Sequence, residues 1–462
     1  MNPRDTKLSP DYGYLFSENN FPKTLTDKLE YIKQNRDNNT DKHYYVQKDQ
    51  EIGIKFQHEN PYYNLPFPDA SLRLLSLFRY WNMVQYFSPN RELIGEDWNN
   101  VLSEFIPVFI NAVDTLQYQL ACLKLIAGIH DSHADISDGG DAIEKIKGNK
   151  ITPFQARFIE DKLVVTGYYK DIGDIKDKVK PGDIIDKIDG MDVAELVEKY
   201  LPFTSASNYE TQLRNMSGSK GFLLRSNDTQ AQLTIIRDGK SINIEVPRID
   251  LEDYMQYKDY YNTSNSYKIL PGNIGYIYPA NLNENDLDHI KILLGKTKGI
   301  IIDMRCYPSV FMPYTYGDWF KSDSSEFAAF SSASVDIPGY FKIAETHKNG
   351  GGNINTYKGK LVIIVNEVTQ SRAEFTTMAL STVPGAVVIG SKTSGADGGI
   401  FDIVLPGGIK TAFSGIGVYY PDGTITQRVG VKIGKIVKPT ISAVKEGRDE
   451  LLEEAIKIIN GS

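Results

Sequence analysis

Four short runs of β-branched and apolar residues constrain the fold of this chain more than any other feature. They read GYIYP (275–279), GIIIDM (299–304), LVIIVN (361–366) and AVVIG (386–390). Continuous apolar runs of this length are typical of strands that are covered on both faces of a parallel sheet. A helix predicted from residue 372 to about 383 separates the last two runs. The second half of the chain is therefore predicted to be α/β, with right-handed βαβ crossovers.

Two further segments precede this core. Helical periodicity runs through 72–87, 98–113 and 115–129, and Pro68 with Asp69 suits the start of the first helix. Short strands and turns, including Pro181-Gly182 and Asp238-Gly239, fill 150–248. A chain of 462 residues has room for about three domains. We predict a multidomain α+β protein with the following parts: an N-terminal extension (1–66), a helical domain (67–149), a β-rich domain (150–250) and an α/β core (251–462).

Composition excludes several classes of protein. The net charge of −8 argues against a nucleic-acid partner. No apolar run approaches the roughly 20 residues that span a bilayer, and the first residues lack the apolar region of a signal peptide. Either the protein is cytoplasmic or a signal segment has been removed. With two cysteines, Cys122 and Cys306, neither a disulfide framework nor a metal framework is expected.

Ser371 lies at the joint between the third apolar run and the predicted helix, in VNEVTQSRAEF (365–375). With Glu374 it forms a Ser-x-x-Glu capping box, which is the commoner role for such a serine. The alternative role is that of a nucleophile, because the helix N-terminus offers free N–H groups to an oxyanion. Serine also needs a base. Of the six histidines, His133 in HDSHADISDGG (130–140) follows the helical segment in a loop that can reach a cleft.

His130 and His133 could instead form a metal pair, but no third ligand and no H-E-x-x-H motif accompany them. We therefore expect no metal and no organic cofactor. Arg305 and Asp303 are predicted to be structural partners rather than catalytic groups.

The order of these features resembles the tail-specific protease and tricorn peptidase family. KPGDIIDKIDG (180–190) is similar to the PDZ motif of that family, and GIIIDMR (299–305) to the strand before its oxyanion turn. VNEVTQSRAEF is similar to its nucleophile segment, and VGVKIGKIVKPT (429–440) to its C-terminal Gly-Val segment. The resemblance covers most of the chain from about residue 70. It implies a PDZ-like domain at 150–250 and a ClpP/crotonase-like α/β catalytic core.

The resemblance also implies roles for individual residues. Ser371 is the expected nucleophile. The tail-specific branch has a lysine base about 25 residues later, but that position is Ala396 here. The tricorn-like branch uses a histidine from a Ser-His pair, which Ser132 and His133 match, so His133 is the expected base. Gln427 stands where that branch has glutamate, and it is expected to accept the imidazole N–H.

The expected oxyanion turn departs from the family pattern. Where the family has the pattern Arg-x-Asn-x-Gly-Gly, this sequence has RCYPSV (305–310). The backbone N–H of Ser309 or Val310 and that of Arg372 are the expected donors. Glycine normally permits the close approach of substrate at such a turn.

These observations predict a serine endopeptidase that hydrolyses polypeptides through a Ser371 acyl-enzyme, with substrate delivered by the PDZ-like domain. The alternative is a peptide-binding protein on a catalytically degenerate scaffold, and a glycan-binding envelope protein ranks last. The resemblance implies an extracytoplasmic location, in the periplasm or cell envelope, with a lipid anchor possible in the full precursor.

Overall fold

The computed structural model describes residues 6–35, 43–49, 53–95, 97–169, 174–257, 266–353 and 355–461. Strand β2 (Val46–Asp49) pairs antiparallel with β3 (Gly53–Phe56). The first strand adds to a sheet of the C-terminal half, so the N-terminal segment contributes to the main body of the protein. Its elements are β1 (Thr6–Leu8), α1 (Lys23–Gln34), β2 (Val46–Asp49) and β3 (Gly53–Phe56).

The segment from residue 67 to 149 contains α-helices along the stretches with helical periodicity. Its first three helices start at Asp69, Asp97 and Asp114, and each of these carboxylates accepts a hydrogen bond from a backbone N–H of the following turn. Its apolar faces share one core with a hairpin at residues 400–414. The four helices are α2 (Ala70–Phe87), α3 (Trp98–Asn111), α4 (Thr115–Ala127) and α5 (Asp141–Lys147).

The predicted β-rich segment is built around a mainly antiparallel sheet with the strand order β11-β10-β7-β6-β5 and has a hydrophobic core of its own. Glu160 and Asp161 both have positive φ, as the two central residues of a type I′ hairpin turn require. Its elements are β4 (Lys150–Ile151), β5 (Phe154–Ile159), β6 (Lys162–Tyr168), α6 (Ile175–Lys178), β7 (Ile184–Ile188), β8 (Met191–Asp192), α7 (Val193–Tyr200), α8 (Tyr209–Ser217), β9 (Arg225–Ser226), β10 (Gln230–Arg237), β11 (Lys240–Pro247), β12 (Ile249–Asp250) and α9 (Leu251–Tyr257).

The four apolar runs form β14, β15, β18 and β19 of a six-stranded sheet with the order β13-β14-β15-β18-β19-β23, in which every pair except β13-β14 is parallel. The α/β prediction is therefore confirmed. The elements are β13 (Tyr267–Leu270), β14 (Ile274–Ile277), α10 (Asp286–Leu294), β15 (Gly299–Asp303), α11 (Thr315–Phe320), β16 (Ser325–Ala333), β17 (Phe341–Asn349), β18 (Lys360–Val365), α12 (Arg372–Ser381), β19 (Val387–Gly390), β20 (Ile400–Leu405), β21 (Ile409–Ser414), β22 (Val418–Tyr419), β23 (Lys435–Ile436), α13 (Ile441–Glu446) and α14 (Glu450–Asn460).

A second sheet of the C-terminal half was not predicted. It has the order β1-β17-β16-β22 and joins the chain start to the core. The predicted structural role of Arg305 is confirmed, because its guanidinium pairs with Asp303 (2.7 Å) and with Asp449 (2.6 Å) at the start of α14. No helix in the described part of the chain has the length and apolar character needed to cross a membrane.

Candidate active site

Ser371 occupies the turn between β18 and α12, at the carboxyl edge of the parallel sheet. Its backbone has φ 54° and ψ −119°, whereas the helix-capping residue Asp114 has φ −151° and ψ 175°. A non-glycine residue in such a conformation costs about 1–3 kcal/mol and persists only where the surrounding contacts hold it. This strained strand-to-helix turn is the geometry of a nucleophile elbow, and an ordinary helix cap does not need it.

The residues before Ser371 hold the turn in place. The Thr369 N–H donates to Asn366 O (2.9 Å), and the Thr369 carbonyl accepts from the Ser394 N–H (2.9 Å). Thr369 Oγ1 donates to Met304 O (2.8 Å) and accepts from the Asn366 N–H (3.1 Å). Thr369 is fully buried. These contacts tie the turn to β15 and to the 391–399 loop.

Glu374 holds the turn from the helix side. Its carboxylate is fully buried. It accepts from the Ser371 N–H, which is one of the two hydrogen bonds of the predicted capping box. Burial raises the pKa of this carboxyl group, although its hydrogen bonds act in the opposite direction. The carboxylate accepts from four donors: Ser371 N (3.1 Å), Thr393 Oγ1 (2.5 Å), Gly395 N (2.8 Å) and Ala396 N (3.1 Å).

A second buried carboxyl group, Asp397, lies close to Glu374. Its Oδ1 accepts from the Gly398 N–H (2.7 Å), and Oδ2 has no hydrogen-bond partner among the described residues. Burial, together with the charge on Glu374, raises the pKa of Asp397 well above its usual value. Ala396 places no amine in this region, and its carbonyl accepts from the Ser371 N–H (2.9 Å). The serine–lysine pair of the tail-specific branch is therefore absent at this position.

His133 is held by two residues that the sequence did not single out. The His133 Nδ1–Ser414 Oγ distance is 2.8 Å, and Ser414 Oγ donates to Asp131 Oδ1 (2.9 Å). Asp131 also accepts from the backbone N–H groups of Ser414 (2.5 Å) and His133 (3.1 Å). Because the hydroxyl proton of Ser414 is directed to the carboxylate, Nδ1 is assigned as the donor to Ser414 Oγ. The neutral imidazole then has its basic lone pair on Nε2, as a general base requires.

The electrostatic surroundings of His133 favour the neutral form. Burial lowers its pKa below the usual 6.5, and the Asp131 carboxylate opposes that shift. A base must be neutral, so reactivity should rise with pH through the pKa of His133 and reach a plateau above it.

We predict that Asp131→Asn moves this rising limb to lower pH, because it removes the charge that supports imidazolium. The plateau should fall by about tenfold or more, since the imidazole is also less well oriented. The rate of fluorophosphonate labelling measured from pH 4.5 to 9 tests this. Asp138→Asn, which breaks an exposed ion pair with Lys410 (2.8 Å) in the same loop, is the matched control. An unchanged or upward-shifted limb in Asp131→Asn would contradict the assignment.

Ser132 and Gln370 join the His133 loop to the nucleophile turn. Gln370 Nε2 donates to Ser132 O (3.4 Å), and Gln370 Oε1 accepts from Ser394 Oγ (3.0 Å). Ser132 Oγ contacts Ser394 O (3.3 Å). No hydrogen bond joins Ser371 to His133 in the described part of the chain. The structure thus places the two residues on adjoining segments, linked through the residue immediately before Ser371.

The expected oxyanion donors are only partly available. The Arg372 N–H lies in the first turn of α12 and has no acceptor among the residues described, and the same is true of the Val310 N–H. The Ser309 N–H donates to Pro279 O (2.9 Å). Ser309 is therefore not a free donor, which corrects that part of the prediction and leaves Val310 and Arg372. The Arg372 guanidinium donates to Pro308 O (3.3 Å), which links the start of α12 to the segment that carries Val310.

The expected contact between Gln427 and His133 is also corrected. Gln427 Nε2 donates to Ser207 Oγ (3.4 Å), whereas the His133 ring bonds to Ser414. Ser414 takes the orienting position because the end of β21 brings its hydroxyl within 2.8 Å of His133 Nδ1. The motif HDSHAD contained a signal for Asp131, but nothing local to Ser414 could have indicated its role.

A cavity of about 590 Å³ opens beside these residues. Ser132, His133 and Gln370 line one side, Ile400 and Ala412 of the 400–414 hairpin line another, and residues 203–222 of the β-rich segment complete the wall. Three parts of the chain therefore line this cavity, as is typical of a binding cleft.

Residues 273–434 match the sequence model of peptidase family S41. This span lies within the α/β core and is similar to peptidase family S41. The matched span contains Ser371, Arg372, Val310 and Gln427, whereas His133 lies before it. The resemblance to tail-specific and tricorn-like peptidases is thereby confirmed, and with it the assignment of the chain as a serine-type peptidase.

Solved structures with a similar fold are also found. Mature CPAF complexed with lactacystin is 13% identical, with a TM-score of 0.63, and the alignment covers 85% of this chain and 99% of that one. A candidate peptidase from Parabacteroides merdae is 14% identical, with a TM-score of 0.52 and coverage of 85% and 97%. At these identities the likeness establishes the fold. No curated protein matches the chain.

Proposed function

We propose that this chain hydrolyses polypeptides through an acyl-enzyme on Ser371, with His133 as the base. Ser371 Oγ attacks the scissile carbonyl carbon while His133 Nε2 takes the hydroxyl proton. The same proton then passes to the leaving amine, and water hydrolyses the ester in a second step. The N–H groups of Arg372 and Val310 stabilise the oxyanion, a contribution of about 3 kcal/mol for each well-placed donor.

The backbone of Ser371 is the observation that carries this proposal. Its positive φ is maintained by Thr369 and Glu374, and it lies one residue before a helix N–H without an intrahelical acceptor. The Asp131–Ser414–His133 chain supplies an oriented, neutral imidazole nearby. Catalytic hydrogen bonds often form only in the substrate complex, so we propose that peptide binding brings His133 Nε2 to Ser371 Oγ.

We further propose that the β-rich segment is a PDZ-like module that delivers substrate. A cavity of about 680 Å³ lies between β7 and α7, lined by apolar residues such as Ile185, Val193 and Val197. PDZ domains bind extended peptides by adding a strand to an exposed sheet edge, and β5 and β11 are the edge strands of this sheet. The Arg214 guanidinium on α8 donates to Glu367 O (2.7 Å) and Gln370 Oε1 (2.9 Å), which connects this module to the nucleophile turn.

Fluorophosphonate labelling followed by peptide mapping tests the catalytic proposal. We expect modification at Ser371 in the wild type and its loss in His133→Ala. His289→Ala, which removes an exposed histidine of α10, should label like the wild type. Labelling should be repeated with a mixture of unstructured peptides present, so that a closed resting state is also sampled.

The alternative, a peptide-binding protein without peptidase activity, is favoured by two observations. The Ser309 N–H is engaged by Pro279, and Ser371 and His133 share no hydrogen bond within the described residues. Absence of Ser371 labelling with peptide present, together with saturable peptide binding, would support this alternative and exclude the proposed mechanism.

A further inference from the structure

A group of aromatic side chains borders the proposed oxyanion site. We call it the aromatic shelf, and it consists of Phe311, Tyr314, Phe327, Phe330 and Phe375 with His347 at one end. The Phe311 and Phe375 rings stack at 6.1 Å between centroids, and Phe327 and Phe330 lie 4.9 Å and 5.4 Å from Phe375. These contacts make one continuous aromatic cluster built from α12, β16 and the 307–314 segment, with Phe327 and Phe375 on its buried side.

The aromatic shelf lies next to the atoms that would react. Phe311 directly follows Val310, whose N–H is one proposed oxyanion donor. Phe375 lies one helical turn after Ser371, and its N–H donates to Ser371 O (2.9 Å), so both residues lie on one face of α12. The side chain on the acyl half of a substrate branches one bond from the carbonyl that these groups hold. We therefore place that side chain beside Phe311.

Part of the aromatic shelf is open to solvent. Phe311 is 45% exposed and Tyr314 is 38% exposed, although the Phe375 beneath them is buried. His347 packs 4.1 Å from Phe330 between ring centroids, and its Nδ1 lies 3.0 Å from Tyr314 Oη. The exposed rings of Phe311 and Tyr314 are thus held in place by the rings packed against them. An exposed apolar surface of this kind beside a reactive centre is typical of a binding site.

We propose that the aromatic shelf is the subsite for the residue on the acyl side of the scissile bond, and that it selects aromatic and large aliphatic side chains. This inference rests on the proposed acyl-enzyme at Ser371. An aromatic substrate ring would gain burial and favourable stacking against Phe311. A carboxylate would meet the negative faces of the rings and lose part of its hydration.

Diphenyl phosphonates that carry the side chain of phenylalanine, alanine or glutamate test this. Ser371 Oγ would form a bond to phosphorus, one phenoxide would leave, and His133 would take the serine proton. We expect the phenylalanine analogue to label roughly 10- to 100-fold faster than the alanine analogue, and the glutamate analogue to be the slowest. The ratio of two rates on one preparation is independent of the fraction of active protein.

Phe311→Ala should reduce the phenylalanine-to-alanine ratio about 3- to 10-fold, and Phe311→Leu should give an intermediate ratio. Tyr31→Ala, which removes an exposed aromatic ring from α1, should keep the wild-type ratio. Fluorophosphonate labelling of Ser371 without a preference for phenylalanine, or with a preference that Phe311→Ala leaves intact, would overturn the subsite alone. Absence of fluorophosphonate labelling in the wild type would overturn the acyl-enzyme and the subsite together.

Discussion

Ser371→Gly should abolish covalent labelling and peptide hydrolysis while raising the free energy of unfolding by about 1 kcal/mol. Loss of activity follows from loss of the hydroxyl that is the proposed nucleophile. The gain in stability follows from φ 54° and ψ −119°, which glycine adopts without strain. Relief of about 1–3 kcal/mol of strain exceeds the 0.5–1 kcal/mol by which the more flexible glycine favours the unfolded chain. Opposite effects on activity and stability are typical of a residue strained for function.

A serine that served only as a helix cap would behave differently. Replacing a cap with glycine costs a few tenths of a kcal/mol and replacing it with alanine costs about 1 kcal/mol. Asp114→Gly provides the matched control, because Asp114 caps α4 from an extended backbone and accepts from the Gln117 N–H (2.8 Å). Urea unfolding should show Ser371→Gly above the wild type and Asp114→Gly below it. A less stable Ser371→Gly protein would favour the capping role.

The sequence indicated the elements of the sheet because burial on both faces requires continuous apolar runs. It also placed Ser371, since a strand followed by a helix fixes which residue stands at the joint. The hairpin of β16 and β17 was missed because its strands, SEFAAFSSA and FKIAETHKN, are rich in small and charged residues and contain no run of β-branched residues. β1 joins the same sheet from more than 300 residues away, which local periodicity cannot show.

The residues around Ser371 were less predictable from the sequence than Ser371 itself. Ser414 and His133 are separated by 281 positions, and a serine at the end of a strand carries no local signal. The Ser309 prediction was wrong because family position alone does not show whether a backbone N–H is already bonded to Pro279. Conversely, the missing lysine at Ala396 was read correctly, because the identity of a side chain requires no structural information.

Glu374→Ala is expected to have the largest effect on stability, lowering the free energy of unfolding by about 3–9 kcal/mol. It leaves the buried N–H groups of Gly395 and Ala396 and the Thr393 hydroxyl without their acceptor. Each unsatisfied buried donor costs about 1–3 kcal/mol. The Ser371 N–H keeps its bond to Ala396 O, so the elbow should loosen through the 391–399 loop rather than at the serine.

Glu374→Gln distinguishes lost hydrogen bonds from lost volume. The amide fills the same space and keeps one acceptor oxygen, but its NH₂ must face either the Gly395 N–H or the Ala396 N–H. We therefore expect a loss smaller than that of Glu374→Ala, and fluorophosphonate labelling that is slower than in the wild type. If Glu374→Ala lost less than about 1 kcal/mol, water or a rearranged loop would have to satisfy these donors, and the carboxylate would not be what holds the elbow.

The pH dependence of the same variants provides an independent check. Burial raises the pKa of Glu374, and burial with the Glu374 charge raises that of Asp397. The folded state therefore binds more protons than the unfolded state above the usual values of 4.5 and 3.8. Consequently, the free energy of unfolding should fall as pH rises through that window. Glu374→Ala removes one carboxyl group and the charge that acts on Asp397. Its stability should therefore fall less between pH 5 and pH 8, and the difference from the wild type should be larger at pH 5.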